Sequence, residues 1–297
     1  MTIRQLFRGS FDVHMHAGPS IVPRELDIVE AVKEAEEAGQ RAIVIKDHQV
    51  PFVAATQLVQ KHIVTRKDFH VFSGITLNNH VGGFNPLAVE TAMMMGAKVV
   101  WMPTVSCENH HRSLAAHGMA YPKTKSELQT KDEYIRILDE NGELDPKVKE
   151  VIRLVSQGDD LVIGTGHGTA EEVSAIIDYA LSQGVRHIIA NHPMYMVDAT
   201  IAQMKDWAAK GVFIEVCAVI ADPVSRYCHV DLDRICEIIQ AVGVDHVIVS
   251  SDYGQVGNPR PVPGLMRFVE LLLGKGFSAG DIEIMIKRNP QRLLNLE

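Results

Sequence analysis

A single (β/α)8 barrel is the fold class that this sequence predicts, on three observations. Short β-rich runs alternate with helical stretches over nearly all of the 297 residues, the signature of parallel βαβ units rather than of a bundle or sandwich. Eight such runs can be counted, at 10–15, 42–46, 70–75, 98–102, 161–164, 187–190, 212–217 and 246–250. Most are continuous apolar stretches, among them AIVI, KVVWM, LVIG, HIIA and HVIVS, as expected of parallel strands covered on both faces.

The helices between the runs carry their own start and stop signals. Residues 25–38 place apolar side chains at 26, 28, 29 and 32 and stop at Gly39. Thr169-Ala-Glu-Glu172 has the spacing of a capping box, and Ser278-Ala-Gly-Asp281 resembles another helix start. Residues 146–157 read as a helix, and Met93-Met-Met95 as helix packing against the barrel. Connections keep a barrel rhythm except between the fourth and fifth runs, where the polar, Gly/Pro-punctuated stretch after Pro103 is too long for a simple crossover. That stretch predicts an excursion over the barrel mouth, with 104–145 as a lid. No repeat, low-complexity tract or linker divides the chain, so residues 1–297 are expected to form one domain.

Composition narrows the function. With 46% hydrophobic and 22% charged residues, the chain has enough apolar surface for a core without staples. A formal net charge of -8 argues against nucleic acid as a partner, because phosphate binding needs a basic surface. There is no secretion signal and no apolar run near the ~20 residues of a membrane span, so the expectation is a soluble cytoplasmic protein that is homo-oligomeric and acts on a small molecule. Cys107, Cys217, Cys228 and Cys236 form no CxxC pair and read as reduced and mostly buried.

Fourteen histidines are present, several beside Gly, Asn or Asp where a run ends. Barrel enzymes carry reactive groups at the C-terminal ends of their strands, so the residues just beyond the runs are the candidates. The first run ends Asp12-Val-His14-Met-His16, whose spacing of two points both imidazoles to one side of a strand. His167 follows the fifth run in Gly164-Thr-Gly-His-Gly168, His192 the sixth in Asn191-His-Pro193, and Asp252 the eighth in Ser250-Ser-Asp-Tyr253. Four imidazoles and one carboxylate at one mouth suit zinc or another borderline divalent ion. Such an ion lowers the pKa of a bound water from 15.7 to about 7, and a neighbouring carboxylate can take and return its proton.

These residues, in this order, resemble the amidohydrolase superfamily of metal-dependent barrels, whose pattern is HxH after strand one, His after strands five and six, and Asp after strand eight. The tail Asn289-Pro-Gln-Arg-Leu-Leu294 is similar to the closing helix of that superfamily. The resemblance implies His14, His16, His167, His192 and Asp252 as ligands of one or two ions, most simply zinc. Asp252 would also move the proton, and His192 would share the catalytic work. The strand-four lysine or glutamate that bridges two ions in binuclear members is missing from Trp101-Met-Pro-Thr-Val-Ser106, with Glu108 the near substitute. Lys46-Asp47-His48 is similar to the strand-two Asp-His of the PHP phosphoesterases, a secondary resemblance.

Other polar groups at the expected mouth are candidates for substrate contact. Lys46 can clamp an anionic group, bridge ions as a carbamate, or simply pair with Asp47. His48, Asn79, His80, His110 and Arg260 can reach a substrate, an anionic one included, although each also has an ordinary structural role available. Glu215, a charge within the seventh run, needs a partner such as a lysine or a ligand histidine. The leading expectation is hydrolysis of an amide, cyclic amide, lactone or related carbonyl compound. Phosphoester hydrolysis, non-hydrolytic decarboxylation on the same site, and a silent binding barrel are the alternatives.

Overall fold

The computed structural model describes residues 2–118, 134–158 and 160–296. Its strands are β1 (Phe11–Met15), β2 (Ala42–Ile45), β3 (His70–Phe72), β4 (Gly74–Thr76), β5 (Val99–Trp101), β6 (Val162–Gly164), β7 (His187–Ala190), β8 (Phe213–Cys217) and β9 (Val247–Ser250). Each pairs in parallel with the next, apart from β3 and β4, which follow one another along the third stave. Ser73 interrupts that stave by donating its hydroxyl to Ile45 O at 2.7 Å. Gly74 then runs so close to β5 that a Cβ would lie 1.7 Å from Val99 O. Eight staves result, in chain order, as the eight runs predict. Backbone hydrogen bonds join the last stave to the first, from Asp252 N–H to His14 O (2.7 Å) and from His16 N–H to Tyr253 O (2.8 Å).

The helices are α1 (Ile3–Phe7), α2 (Ile28–Glu37), α3 (Val53–His62), α4 (Pro86–Met94), α5 (Glu108–Ala116), α6 (Pro146–Val155), α7 (Ala170–Ser182), α8 (Ile201–Ala209), α9 (Leu232–Val242), α10 (Pro261–Gly274), α11 (Ala279–Glu283) and α12 (Asn289–Leu293). The capping boxes expected at Thr169 and Ser278 are both formed. Two expectations need correction. The helix read over 25–38 starts only at Ile28, because Asp27 and Glu30 form the capping box and Glu25 N–H is drawn instead to Gly254 O at 2.9 Å. Of the three methionines, only Met93 packs inward. Met94 and Met95 are 84% and 47% exposed, because Val89 and Ala92 already occupy the buried face of α4.

Two apolar layers hold the barrel. Phe11, Val13, Val44, Trp101, Phe213 and Ile248 fill its interior, and Leu293 and Leu294 from the end of α12 pack into the same cluster. A larger layer separates staves from helices. Cys107, Cys217 and Cys236 are buried and Cys228 is exposed. The excursion after β5 opens with α5 rather than a polar loop. Asn109 on α5 donates to His167 O, Gly168 O and Met196 O, each at 3.0 Å, which fastens the helix to the barrel mouth. Part of the expected lid, residues 119–133, lies outside the described residues.

Candidate metal centre

A β-bulge places the first two ligands. Phe11 and Asp12 pair with Ala42 and Ile43, but Met15 pairs with Ile45, so Val13 and His14 together face the single position of Val44. Without that extra residue, strict alternation from inward Phe11 and Val13 would turn His14 and His16 away from the interior. The bulge inverts the alternation, sending Met15 to the outer layer and both imidazoles into the barrel mouth.

Each imidazole is then oriented by its other nitrogen. His14 Nδ1–H donates to Glu215 Oε1 at 3.0 Å, and His16 Nδ1–H donates to Lys46 O at 2.7 Å. Both Nε2 atoms therefore present a lone pair to one point, 3.2 and 3.0 Å from Asp252 Oδ1. Glu215, at 1% exposure, also accepts from Ser250 Oγ and Asn191 Nδ2, both at 2.7 Å. Burial alone would raise its pKa, yet His14, His192 and Asn191 hold it down at about 2. The lone charge within the seventh run is thus the anchor of the first ligand.

His192 Nε2 lies 3.6 Å from Asp252 Oδ2. Both residues take positive φ, 46° and 50°, a conformation that side-chain-bearing residues rarely adopt and that turns them back over the strand ends. Asp12, buried under this turn, accepts from Ser251 N–H at 3.0 Å, and burial pushes its pKa up to about 6. Gly254 follows with φ 130°, where a Cβ would stand 1.9 Å from His16 O. Asp252 stays ionised despite burial, because His14, His16 and His192 hold its carboxyl below the usual carboxylate range.

His167 completes the ring. Its centroid is 5.0 Å from that of His192, its Nδ1 is 2.8 Å from Nδ1 of His110, and its Nε2 is buried without any hydrogen-bond partner. A buried imidazole nitrogen left unpaired is costly unless something else takes its lone pair. Burial pushes the pKa of His16 and His192 down to about 4 and that of His110 to about 3, and lowers His48 and His167 as well. These histidines are neutral at physiological pH, the form that binds metal. Cys217, which sequence reading gives only as a reduced and buried thiol, lies close to His14, His192 and Asp252. Its thiol is pushed well up by burial, then by Glu215 and Asp252, so in the metal-free protein it stays protonated.

The remaining candidates divide. His48 and His110 line the cavity above the cluster, an open pocket of about 180 Å³ whose walls also include Leu114, Tyr195, Met196, Val219, Ile220 and Tyr227. His48 Nδ1 is 2.9 Å from Thr104 Oγ1, on the segment that follows β5. Glu108 turns outward to Arg136. Lys46 is fully buried beneath the cavity and does not line it. Its Nζ is 3.3 Å from His14 Nε2 and 5.4 Å from the centroid of Trp101, while Asp47 is engaged by Ser20, Gln49 N–H and Val50 N–H. Asn79 and His80 sit exposed in the turn after β4, and Arg260 is tied to Glu30 and Glu34 at the surface near α2, so none of the three reaches the cavity. Arg24 does reach it, from the loop after β1, where neither periodicity nor a strand end marks it.

Residues 9–215 match the model of a family of unknown function, DUF6282. No curated protein matches the chain in sequence. Among solved structures, an amidohydrolase from Pseudomonas aeruginosa superposes with TM-score 0.66 at 13% identity, covering 99% of this chain and 98% of that one. A lactonase from Listeria monocytogenes gives 0.55 at 13%, covering 100% and 97%. The 2,6-dihydroxybenzoate decarboxylase from Rhizobium gives 0.52 at 12%, covering 97% and 99%. The chain therefore has the fold of the amidohydrolase barrels.

Proposed function

The chain belongs to DUF6282, whose function is unknown, and on that premise we propose from the site itself that it is a metal-dependent hydrolase of an amide, cyclic amide, lactone or related carbonyl compound. The observation that carries the proposal is the set of aimed nitrogens. His14 and His16 have their Nδ1 atoms engaged elsewhere and their Nε2 atoms converging on Asp252, while His167 Nε2 is buried without a partner. This donor set fits one divalent ion, proposed to be zinc, held by His14, His16, His167, His192 and Asp252. Such an ion acidifies water and polarises a carbonyl when bound. One ion suffices, because Glu215 is committed to His14.

The residues do the rest. Asp252 would accept the proton of the attacking water and return it to the leaving group, while His192 faces the same carboxylate. The apolar walls of the cavity exclude water around a small substrate, and His48 and His110 border the reacting group. We assign residues 1–297 to one catalytic domain, in a cytoplasmic homo-oligomer. Among the described residues, no helix is long and apolar enough to cross a membrane. Elemental analysis followed by a screen of lactones, cyclic imides and phosphomonoesters with zinc restored tests the reading. Turnover of a carbonyl substrate is expected. Zinc-dependent turnover of phosphomonoesters alone, or release of carbon dioxide from an aromatic acid without hydrolysis, would replace it.

A further inference from the structure

The cavity contains one group that the hydrolytic chemistry leaves unused. Arg24 lines the same pocket as His16, His192 and Asp252, yet its side chain is only 4% exposed. Its Nε and Nη2 atoms are buried and make no hydrogen bond to the protein. The nearest carboxylate, Asp47, lies 3.8 Å from Nη2 and is already engaged. Its Oδ1 accepts from Gln49 N–H (2.8 Å) and Val50 N–H (3.0 Å), and its Oδ2 accepts from Ser20 Oγ (2.6 Å). A guanidinium offers five N–H donors in a flat fork, and leaving the three on Nε and Nη2 buried and unsatisfied is unfavourable unless a ligand completes them.

The position is held rather than fortuitous. Arg24 bridges to Gln255, Glu25 N–H donates to Gly254 O at 2.9 Å, and Gly18 N–H donates to Leu26 O at 2.9 Å, so the loop is fastened to the barrel on both sides. Among the described residues lining the cavity, Arg24 is the one arginine or lysine, and its planar fork is the group there that matches a carboxylate.

We propose that Arg24 is the specificity-determining anion receptor of this pocket, and that the substrate carries a carboxylate remote from the bond that is broken. The proposal rests on the hydrolase reading for the identity of that bond, and extends it by naming the substrate class. A carboxylate matches the free fork in a bidentate pair, and a single negative charge matches a guanidinium already partly offset by Asp47. The body of the substrate lies against Tyr195, Tyr227, Val219 and Ile220, surfaces that suit a flat or apolar skeleton.

Calorimetric titration of the zinc-loaded protein with 3-carbamoylbenzoate, which carries one carboxylate, and with its neutral isostere isophthalamide tests the assignment without any turnover. Wild type is expected to bind 3-carbamoylbenzoate at least about 30-fold more tightly. Arg24→Gln should reduce that preference to within about threefold, and Arg24→Lys, which keeps the charge but not the fork, should fall between. A preference that survives in Arg24→Gln puts the carboxylate on the metal and overturns the proposal, as does the lack of any preference in wild type. If Arg24→Gln fails to fold, a preference in Arg24→Lys equal to that of wild type overturns it equally. An Arg24-dependent preference in a protein that turns over no carbonyl substrate would leave the receptor standing and remove the hydrolase reading alone.

Discussion

Replacing Glu215 by glutamine tests how the first ligand is oriented while leaving every ligand in place. The carboxylate accepts three hydrogen bonds, from His14 Nδ1 (3.0 Å) and Ser250 Oγ (2.7 Å) on Oε1 and from Asn191 Nδ2 (2.7 Å) on Oε2. Glutamine has the same shape but a single acceptor oxygen. With that oxygen toward His14, the new amide nitrogen meets the Asn191 amide donor, and an unsatisfied buried group costs about 1–3 kcal/mol. With the nitrogen toward His14, the imidazole must move its proton to Nε2, which removes the lone pair offered to the ion. Either arrangement weakens metal binding, and loss of such a supporting partner typically costs about 10- to 100-fold, or about 1.4–2.7 kcal/mol. The buried negative charge that supports His14 disappears as well, so Glu215→Gln should sit near the upper end, about 100-fold. Competition for zinc against a chromophoric chelator at neutral pH reads the affinity, and the unfolding midpoint of the metal-free protein separates a lost site from a lost fold. Zinc affinity within about twofold of wild type in a folded variant would refute the reasoning.

Three other outcomes are expected. Asp252→Asn should retain the fold and most of the metal yet lose about 100-fold or more in kcat, since an amide cannot accept the water proton; rates near wild type would move the base elsewhere, His48 first. Lys46→Met should bind zinc about tenfold more tightly with the Michaelis constant unchanged, because the Nζ beside His14 opposes a second cation and does not line the cavity. A raised Michaelis constant at constant metal content would make Lys46 a substrate clamp after all, and bicarbonate-stimulated zinc uptake in wild type alone would make it a carbamate. Metal-free protein should lose stability as pH falls from about 6.5 to about 4, since His16 and His192 stay neutral in the fold down to about 4 whereas the unfolded chain takes up their protons near 6.5. Urea titrations across that window check it, and a flat profile would mean that the histidines are not buried as neutral ligands.

The sequence alone determined what local chemistry can encode. Apolar runs bounded by turn residues marked the eight staves, because a strand covered on both faces has to be apolar throughout. The boxes at Thr169 and Ser278 were legible because a helix start is satisfied within four residues. His14, His16, His167, His192 and Asp252 stood out as polar groups just past strand ends, and the structure brings them to one mouth.

What only the tertiary structure decided depends on atoms distant in the chain. The bulge that turns His14 and His16 inward is a mismatch of register with β2, invisible in the spacing of β1 alone. Which imidazole nitrogen faces the site is settled by Glu215 and the Lys46 carbonyl. Lys46 and Arg260 read alike as cations near a strand end, but one is buried beneath the cavity and the other pairs with α2, because α2 carries two carboxylates where the eighth loop passes. Arg24 lies on a loop with no periodic signal, and its exposure to the cavity follows from the pairing of that loop with Gly254 and Gln255, more than two hundred residues away. Periodicity reports which face of an element is buried; what that face meets is a property of the closed barrel.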